Sequence, residues 1–88
     1  MSQNYPNPFN GVTTIPYYVS EEGHTKFVIY NLLGEEINIL FDGMAHPGKY
    51  QLTWDGKDKT GNQVVSGVYI CKVFHPSGHE KIKIIYMK

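Results

Sequence analysis

Hydrophobic and polar residues alternate along most of this chain, with turn signals between the alternating runs. Ile15, Tyr17 and Val19 alternate with Pro16, Tyr18 and Ser20. Thr25, Phe27 and Ile29 fall on one side of the next run, and Lys26, Val28 and Tyr30 on the other. Tyr50, Leu52 and Trp54 alternate with Gln51 and Thr53; Ile82, Ile84 and Tyr86 alternate with Lys81, Lys83 and Ile85. A side-chain period of two marks a strand with one face on a core. Between Val68 and Phe74, Lys72 marks the wet face, which sends Tyr69, Cys71 and Val73 inward. The run from Glu35 to Asp42 is less regular. Ile37, Ile39 and Phe41 alternate there but Leu40 breaks the polarity, which a bulge or burial on both faces explains. Pro16 has no N–H to donate, so its strand belongs at an edge or an irregular place in a sheet.

The connections carry turn chemistry. Glu21-Glu22-Gly23-His24, Asn31-Leu32-Leu33-Gly34 and His75-Pro76-Ser77-Gly78-His79 are tight turns, and Gly43 to Gly48 reads as a loop holding Pro47-Gly48. The longest connection, from Asp55 to Gly67, is punctuated by Gly56, Gly61 and Gly67. No window of helical length carries a period of 3.6. The expected fold is therefore all-β: an immunoglobulin-like antiparallel sandwich of about seven strands. Its expected core is Ile15, Tyr17, Phe27, Ile29, Ile37, Tyr50, Leu52, Trp54, Tyr69, Val73, Ile82 and Ile84.

Size and composition narrow this further. Eighty-eight residues make one domain, large enough to fold alone by burying about 60–65% of its unfolded surface. An apolar fraction of 41% with 18% charged residues excludes disorder. Eight lysines balance eight carboxylates, so net charge gives no footprint for nucleic acid or an anionic membrane. No apolar stretch exceeds Ile84 to Met87, far short of the ~20 residues of a membrane-spanning helix. The single cysteine, Cys71, cannot form an internal disulfide. Met1 to Tyr5 lack the basic and apolar regions of a secretory signal. Met1-Ser2 reads as an expression start before a domain, residues 3–88, taken from the end of a longer chain.

Side chains that could do chemistry are sparse. His75 and His79 flank a turn and could supply half a zinc site, but no cysteine or carboxylate lies beside them at ligand spacing. Asp55, Asp58 and Asn62 resemble a calcium loop only in part. Lys57 and Lys59 intervene, and Val65 or Ser66 stands where the terminal glutamate belongs; turn formation accounts for all three. Cys71 lies on an inward face as a small hydrophobe. No phosphate loop or nucleophile elbow is present. Tyr5, Tyr18 and Tyr30 offer an aromatic platform for sugar or peptide if they share a face, and otherwise are ordinary strand tyrosines. The expected domain is non-catalytic, without metal or cofactor.

Several motifs resemble one family. Gln3-Asn4-Tyr5-Pro6-Asn7-Pro8-Phe9-Asn10, Tyr30-Asn31-Leu32-Leu33-Gly34-Glu35, Trp54-Asp55-Gly56 with Asp58 and Gly61, Ser66-Gly67-Val68-Tyr69 and the closing Lys88 stand in order and at spacing similar to the type A C-terminal sorting domain of the type IX secretion system. The half from Trp54 to Tyr69 is also similar to the immunoglobulin-like domain of flagellar hook-capping proteins, which does not account for the Asn4–Phe9 motif. The sorting-domain resemblance implies a secretion signal on an upstream cargo domain; the domain itself is expected to be a monomer. Such a signal travels through the periplasm to the cell surface or medium, is read by an outer-membrane translocon and is removed by a sortase-like protease. It also suggests that Lys83 and Lys88, which in any case discourage edge-to-edge pairing of the last strand, mark the end of the signal; if they serve only as edge protection, the recognition surface is expected in the loops around Gly34, Asp58 and Gly67. The Asn4–Pro8 stretch, restricted by its prolines, is expected to be a stiff junction to the cargo.

Overall fold

The computed structural model describes residues 1–88 and contains six strands: β1 Thr13–Val19, β2 Gly23–Asn31, β3 Glu36–Ala45, β4 Gly48–Trp54, β5 Gly67–His75 and β6 Gly78–Tyr86. They form two sheets, one of two strands in the order β1-β4 and one of four in the order β3-β2-β5-β6. All strand pairs are antiparallel. The expected sandwich is present, with six strands rather than seven.

In place of a seventh strand, the N-terminal segment crosses from one sheet to the other. Tyr5 exchanges two backbone hydrogen bonds with Thr14 of β1, at 2.9 and 2.8 Å. Four residues later, Phe9 donates its N–H to the Ile85 carbonyl at 3.0 Å and accepts from Met87 N–H at 2.9 Å, running parallel to β6. Both X-Pro bonds of the segment, Tyr5-Pro6 and Asn7-Pro8, are cis. This segment is not a junction outside the domain but a strap across its end. Pro16 lies on the same outer edge of β1 as Thr14, where no ladder partner is lost.

Two bulges lie in β3. Phe27 faces Phe41 while Val28 faces Ile39, which leaves Leu40 extra; Ile29 faces Asn38 while Tyr30 faces Glu36, which leaves Ile37 extra. Each extra residue shifts the side-chain phase by one, so Ile37, Leu40 and Phe41 all reach the core. The strand continues to Ala45, and the connection to β4 is shorter than the Gly43–Gly48 loop expected from sequence.

The core holds Phe9, Ile15, Tyr17, Val19, Phe27, Ile29, Ala45, Trp54, Tyr69, Cys71, Val73, Ile84 and Tyr86. Of the residues expected inside, Ile37, Tyr50, Leu52 and Ile82 are only partly buried. Two strands cannot cover four, so side chains on the outer strands of the larger sheet and toward the rim of the smaller one keep a wet side. Trp54 centres an aromatic cluster, with ring centroids 5.5 Å from Phe9, 5.2 Å from Tyr69 and 6.4 Å from Tyr86. Its indole N–H donates to the Lys57 carbonyl at 3.0 Å, which satisfies the polar end of a side chain only 1% exposed.

Candidate functional site

The strand directions sort the connections into two unlike ends. The Asn31–Glu35 turn, the Asp55–Ser66 connection and the strap share one end with the last residues of β6. The opposite end carries only the short turns around Ser20–Glu22, His46-Pro47 and Pro76-Ser77. Gly34, Asp58, Gly67 and Lys88 all fall at the loop-rich end, while Lys83 lies within β6 on the outer face.

Each of these residues has a defined local setting. Gly34 has φ +83°, a left-handed conformation that suits glycine, and its N–H donates to the Asn31 carbonyl at 3.1 Å. The Asn31 side chain fixes that turn, accepting at Oδ1 from Leu33 N–H at 3.0 Å and Glu35 N–H at 2.9 Å. The turn holds Leu32 and Leu33 outward, 69% and 85% exposed. Asp58 organises its own loop. Its Oδ1 accepts from Thr60 N–H at 2.9 Å, the Thr60 hydroxyl at 2.7 Å and Asn62 N–H at 3.0 Å. The Thr60 hydroxyl, followed by the Asn62 amide, holds its carboxyl below the usual range. An oxygen committed to three donors inside its own turn has the turn-forming role expected for Asp58, not that of a free calcium ligand. Gly67 begins β5 opposite Tyr86. Lys88 donates its N–H to the Ser66 hydroxyl at 2.9 Å. The Lys83 carbonyl accepts from the Gln3 amide at 2.8 Å, which leaves its side chain exposed.

Residues that the sequence places in motifs, turns or the core, and not among the recognition residues, hold this end together. Asn4 is 3% exposed, and its amide donates to the Thr13 hydroxyl at 2.8 Å, which donates in turn to the Pro6 carbonyl at 2.8 Å. Asn7 Oδ1 accepts from Ile85 N–H at 2.8 Å. The Tyr69 hydroxyl donates to the Val65 carbonyl at 2.6 Å, pinning the end of the long connection. Gly56 has φ +74°, and a Cβ there would lie 2.7 Å from Gln63 Nε2 and 3.0 Å from Tyr86 Cε1. Gly56→Ala is therefore expected to cost about 1–3 kcal/mol, read as a lower urea midpoint with unchanged slope. An unchanged midpoint would show that the Asp55–Lys57 turn adapts freely.

The four histidines sit at the short-turn end, away from the loops. His24 lies 2.6 Å from Asp42, His46 2.7 Å from Glu22 and His75 3.5 Å from Glu80. No group of three His, Cys, Asp or Glu side chains converges anywhere. The N-terminal amino group, 2.7 Å away, holds the Glu80 carboxyl below the usual range. The three tyrosines do not form one platform: Tyr18 lies on the outer face of the two-stranded sheet, Tyr30 on that of the four-stranded sheet, and Tyr5 on the strap. Cys71 is fully buried, and burial pushes its thiol up to about 12. It is expected to react with a thiol reagent at pH 8 only as fast as the domain opens. Rapid labelling of the folded protein would place it at the surface instead.

Comparison with known proteins follows the same outline. No curated protein sequence matches the chain. Among solved structures, dimeric latent PorU from Porphyromonas gingivalis resembles it over 97% of its length, with a TM-score of 0.70 at 21% identity. PorZ from the same organism, an essential bacterial surface component of the type IX secretion system, resembles it over 98% with a TM-score of 0.60 at 22% identity. The matched parts are 9% and 11% of those chains, so the likeness is one of fold within much longer proteins. A family model of the FlgD Ig-like domain matches residues 9–78. Starting on the first buried aromatic residue and running through five complete strands into β6, that match places the immunoglobulin-like sandwich in a known lineage: the chain belongs to the FlgD Ig-like domain family.

Proposed function

We propose that this domain is a C-terminal sorting domain, a non-catalytic signal that directs an upstream cargo through the type IX secretion system to the cell surface or medium and is removed on export. One observation carries this reading. The Asn4–Phe9 motif, the part of the sequence that resembles sorting domains and mostly precedes the family match at residue 9, is built into the frame. Asn4 is buried, Asn7 caps β6 and Phe9 enters the core. A sequence that specifies its own strap presents the neighbouring loops in fixed geometry, which is what a partner protein reads. The fold likeness to PorZ, a surface component of that secretion system, supports the same assignment. The partners proposed are the outer-membrane translocon and a sortase-like protease.

The test is to fuse the domain to the C-terminus of a periplasm-directed reporter in a host with the secretion system. Wild type should reach the surface or medium. A Lys83→Gln, Lys88→Gln variant changes only exposed charges, which usually shift stability by no more than ~0.5 kcal/mol. It should stay folded and remain periplasmic. Equal export of the variant would assign recognition to the loops around Gly34, Asp58 and Gly67. Periplasmic retention of the wild-type fusion would overturn the signal reading. A second reading, a structural assembly module, is favoured by the FlgD Ig-like family match; it requires concentration-dependent self-association of the isolated domain.

A further inference from the structure

The outer face of the four-stranded sheet carries an arrangement that the fold alone does not require. Lys72 of β5 and Lys81 of β6 are direct cross-strand partners, so two ammonium groups project from opposite positions on one face. Like charges placed so oppose each other. Lys83, opposite Ile70, adds a third positive charge along β6 on the same face. None of the three has a carboxylate at salt-bridge distance; of the lysines only Lys59 does, on Glu36. On the outer face of this sheet the carboxylates are on β3, Glu36 opposite Tyr30 and bonded to Lys59, and Asp42 opposite Lys26 and in contact with His24, while Glu80 of β6 turns to the Tyr17 hydroxyl and the N-terminal amino group. On this face the three lysines of β5 and β6 therefore stand two or three strands away from the carboxylates of β3. The ammonium of Lys72 leans over the Phe74 ring, 5.0 Å from its centroid, a contact that turns it along β5.

Beside the lysine pair the surface is apolar and concave. Tyr30, Leu32 and Ile70 line a groove of about 400 Å³ together with Lys72 and Lys81. Leu32 is 69% exposed, held outward by the Asn31 turn. A partly apolar trough ending on two ammonium groups without a carboxylate partner fits a chain that alternates carboxylates with aliphatic side chains. We infer that this groove docks an acidic, aliphatic peptide segment of a partner protein, with a carboxylate between Lys72 and Lys81 and an aliphatic side chain against Tyr30, Leu32 and Ile70. A polyanionic glycan would use the lysines but gain little from the exposed leucine and isoleucine, so the apolar half favours a peptide. The inference does not depend on the secretion reading, because it rests on the register and the groove alone.

The probe is a fluorescein-labelled octapeptide of alternating Glu and Val, titrated with the 88-residue domain at low salt and followed by anisotropy and by amide chemical shifts. Saturable binding is expected, with shifts confined to residues 30–34, 70–72 and 81–83. Removing a charge-assisted contact weakens binding about tenfold, so Lys72→Gln, Lys81→Gln should bind at least that much more weakly while melting no lower than wild type. Leu32→Ser, at an exposed turn position, should also weaken binding. A peptide with Gln in place of Glu should not bind. Equal binding by the lysine variant, shifts elsewhere on the surface, or tighter binding of an alginate oligosaccharide than of the peptide would each overturn the proposal.

Discussion

Trp54→Ala is expected to lower the stability of the domain by about 3–5 kcal/mol. Domains have about 5–15 kcal/mol in all, so this one substitution removes a large share of the total. Trp54 meets Phe9, Tyr69 and Tyr86 at once, and no neighbour can fill the space it vacates without breaking another contact. Its N–H also fixes the Lys57 carbonyl, so the long connection loses an anchor with the ring. Trp54→Phe keeps much of the apolar contact and removes only that donor, and should cost clearly less. Since Trp54 is the sole tryptophan, the melts are followed by far-ultraviolet circular dichroism. Equal effects of the two variants would show that the Lys57 anchor, not ring packing, holds this end.

Removing residues 1–10 is expected to abolish cooperative unfolding altogether. The deletion takes away the Phe9 ring, the two bonds to Thr14 and the two to Ile85 and Met87. It also strips Thr13 of its Asn4 and Pro6 partners and Ile85 of its Asn7 cap. Phe9→Ala alone should cost about 3–5 kcal/mol. Asn4→Ala, which leaves a fully buried Thr13 hydroxyl with one partner fewer, should cost about 1–3 kcal/mol. A shortened domain that melts sharply at the wild-type temperature would show that the strap is an appendage.

These expectations separate what the residue pattern discloses from what it hides. The inward faces of β1, β2 and β5 are legible because Ile15, Tyr17, Phe27, Ile29, Tyr69 and Val73 keep an unbroken period of two, and all are buried. The irregular pattern of β3 shows that a bulge exists, and Leu40 is one of its two positions; the second, at Ile37, leaves no visible mark in the sequence. Phe9 is invisible as a core residue because it stands alone among Pro, Asn and Gly, with no neighbour two positions away to establish a phase. Ile82, Leu52 and Tyr50 alternate as a buried strand should; that β6 and β4 each end a sheet, and that two strands cover four, are tertiary facts that alternation does not contain. Among candidate functional residues, the turn roles of Gly34 and Asp58 follow from their neighbours in sequence. The grouping of Gly34, Asp58, Gly67 and Lys88 at one end required the strand order.

The strap lies beside the last strand of the domain, so synthesis has a direction that the structure must wait for. Within the domain residues 3–9 are made first, yet Gln3, Asn7 and Phe9 find their partners at Lys83, Ile85, Tyr86 and Met87, which are made last. Contacts that join the two ends of a chain close the longest possible loop and form late. No fragment ending before β6 can seat Phe9 or enclose Trp54, so the domain acquires its shape only once β6 has been made. The folded sandwich in this sense vouches for its own last strand: the loops at this end take up their positions only after every earlier strand of the domain has been made.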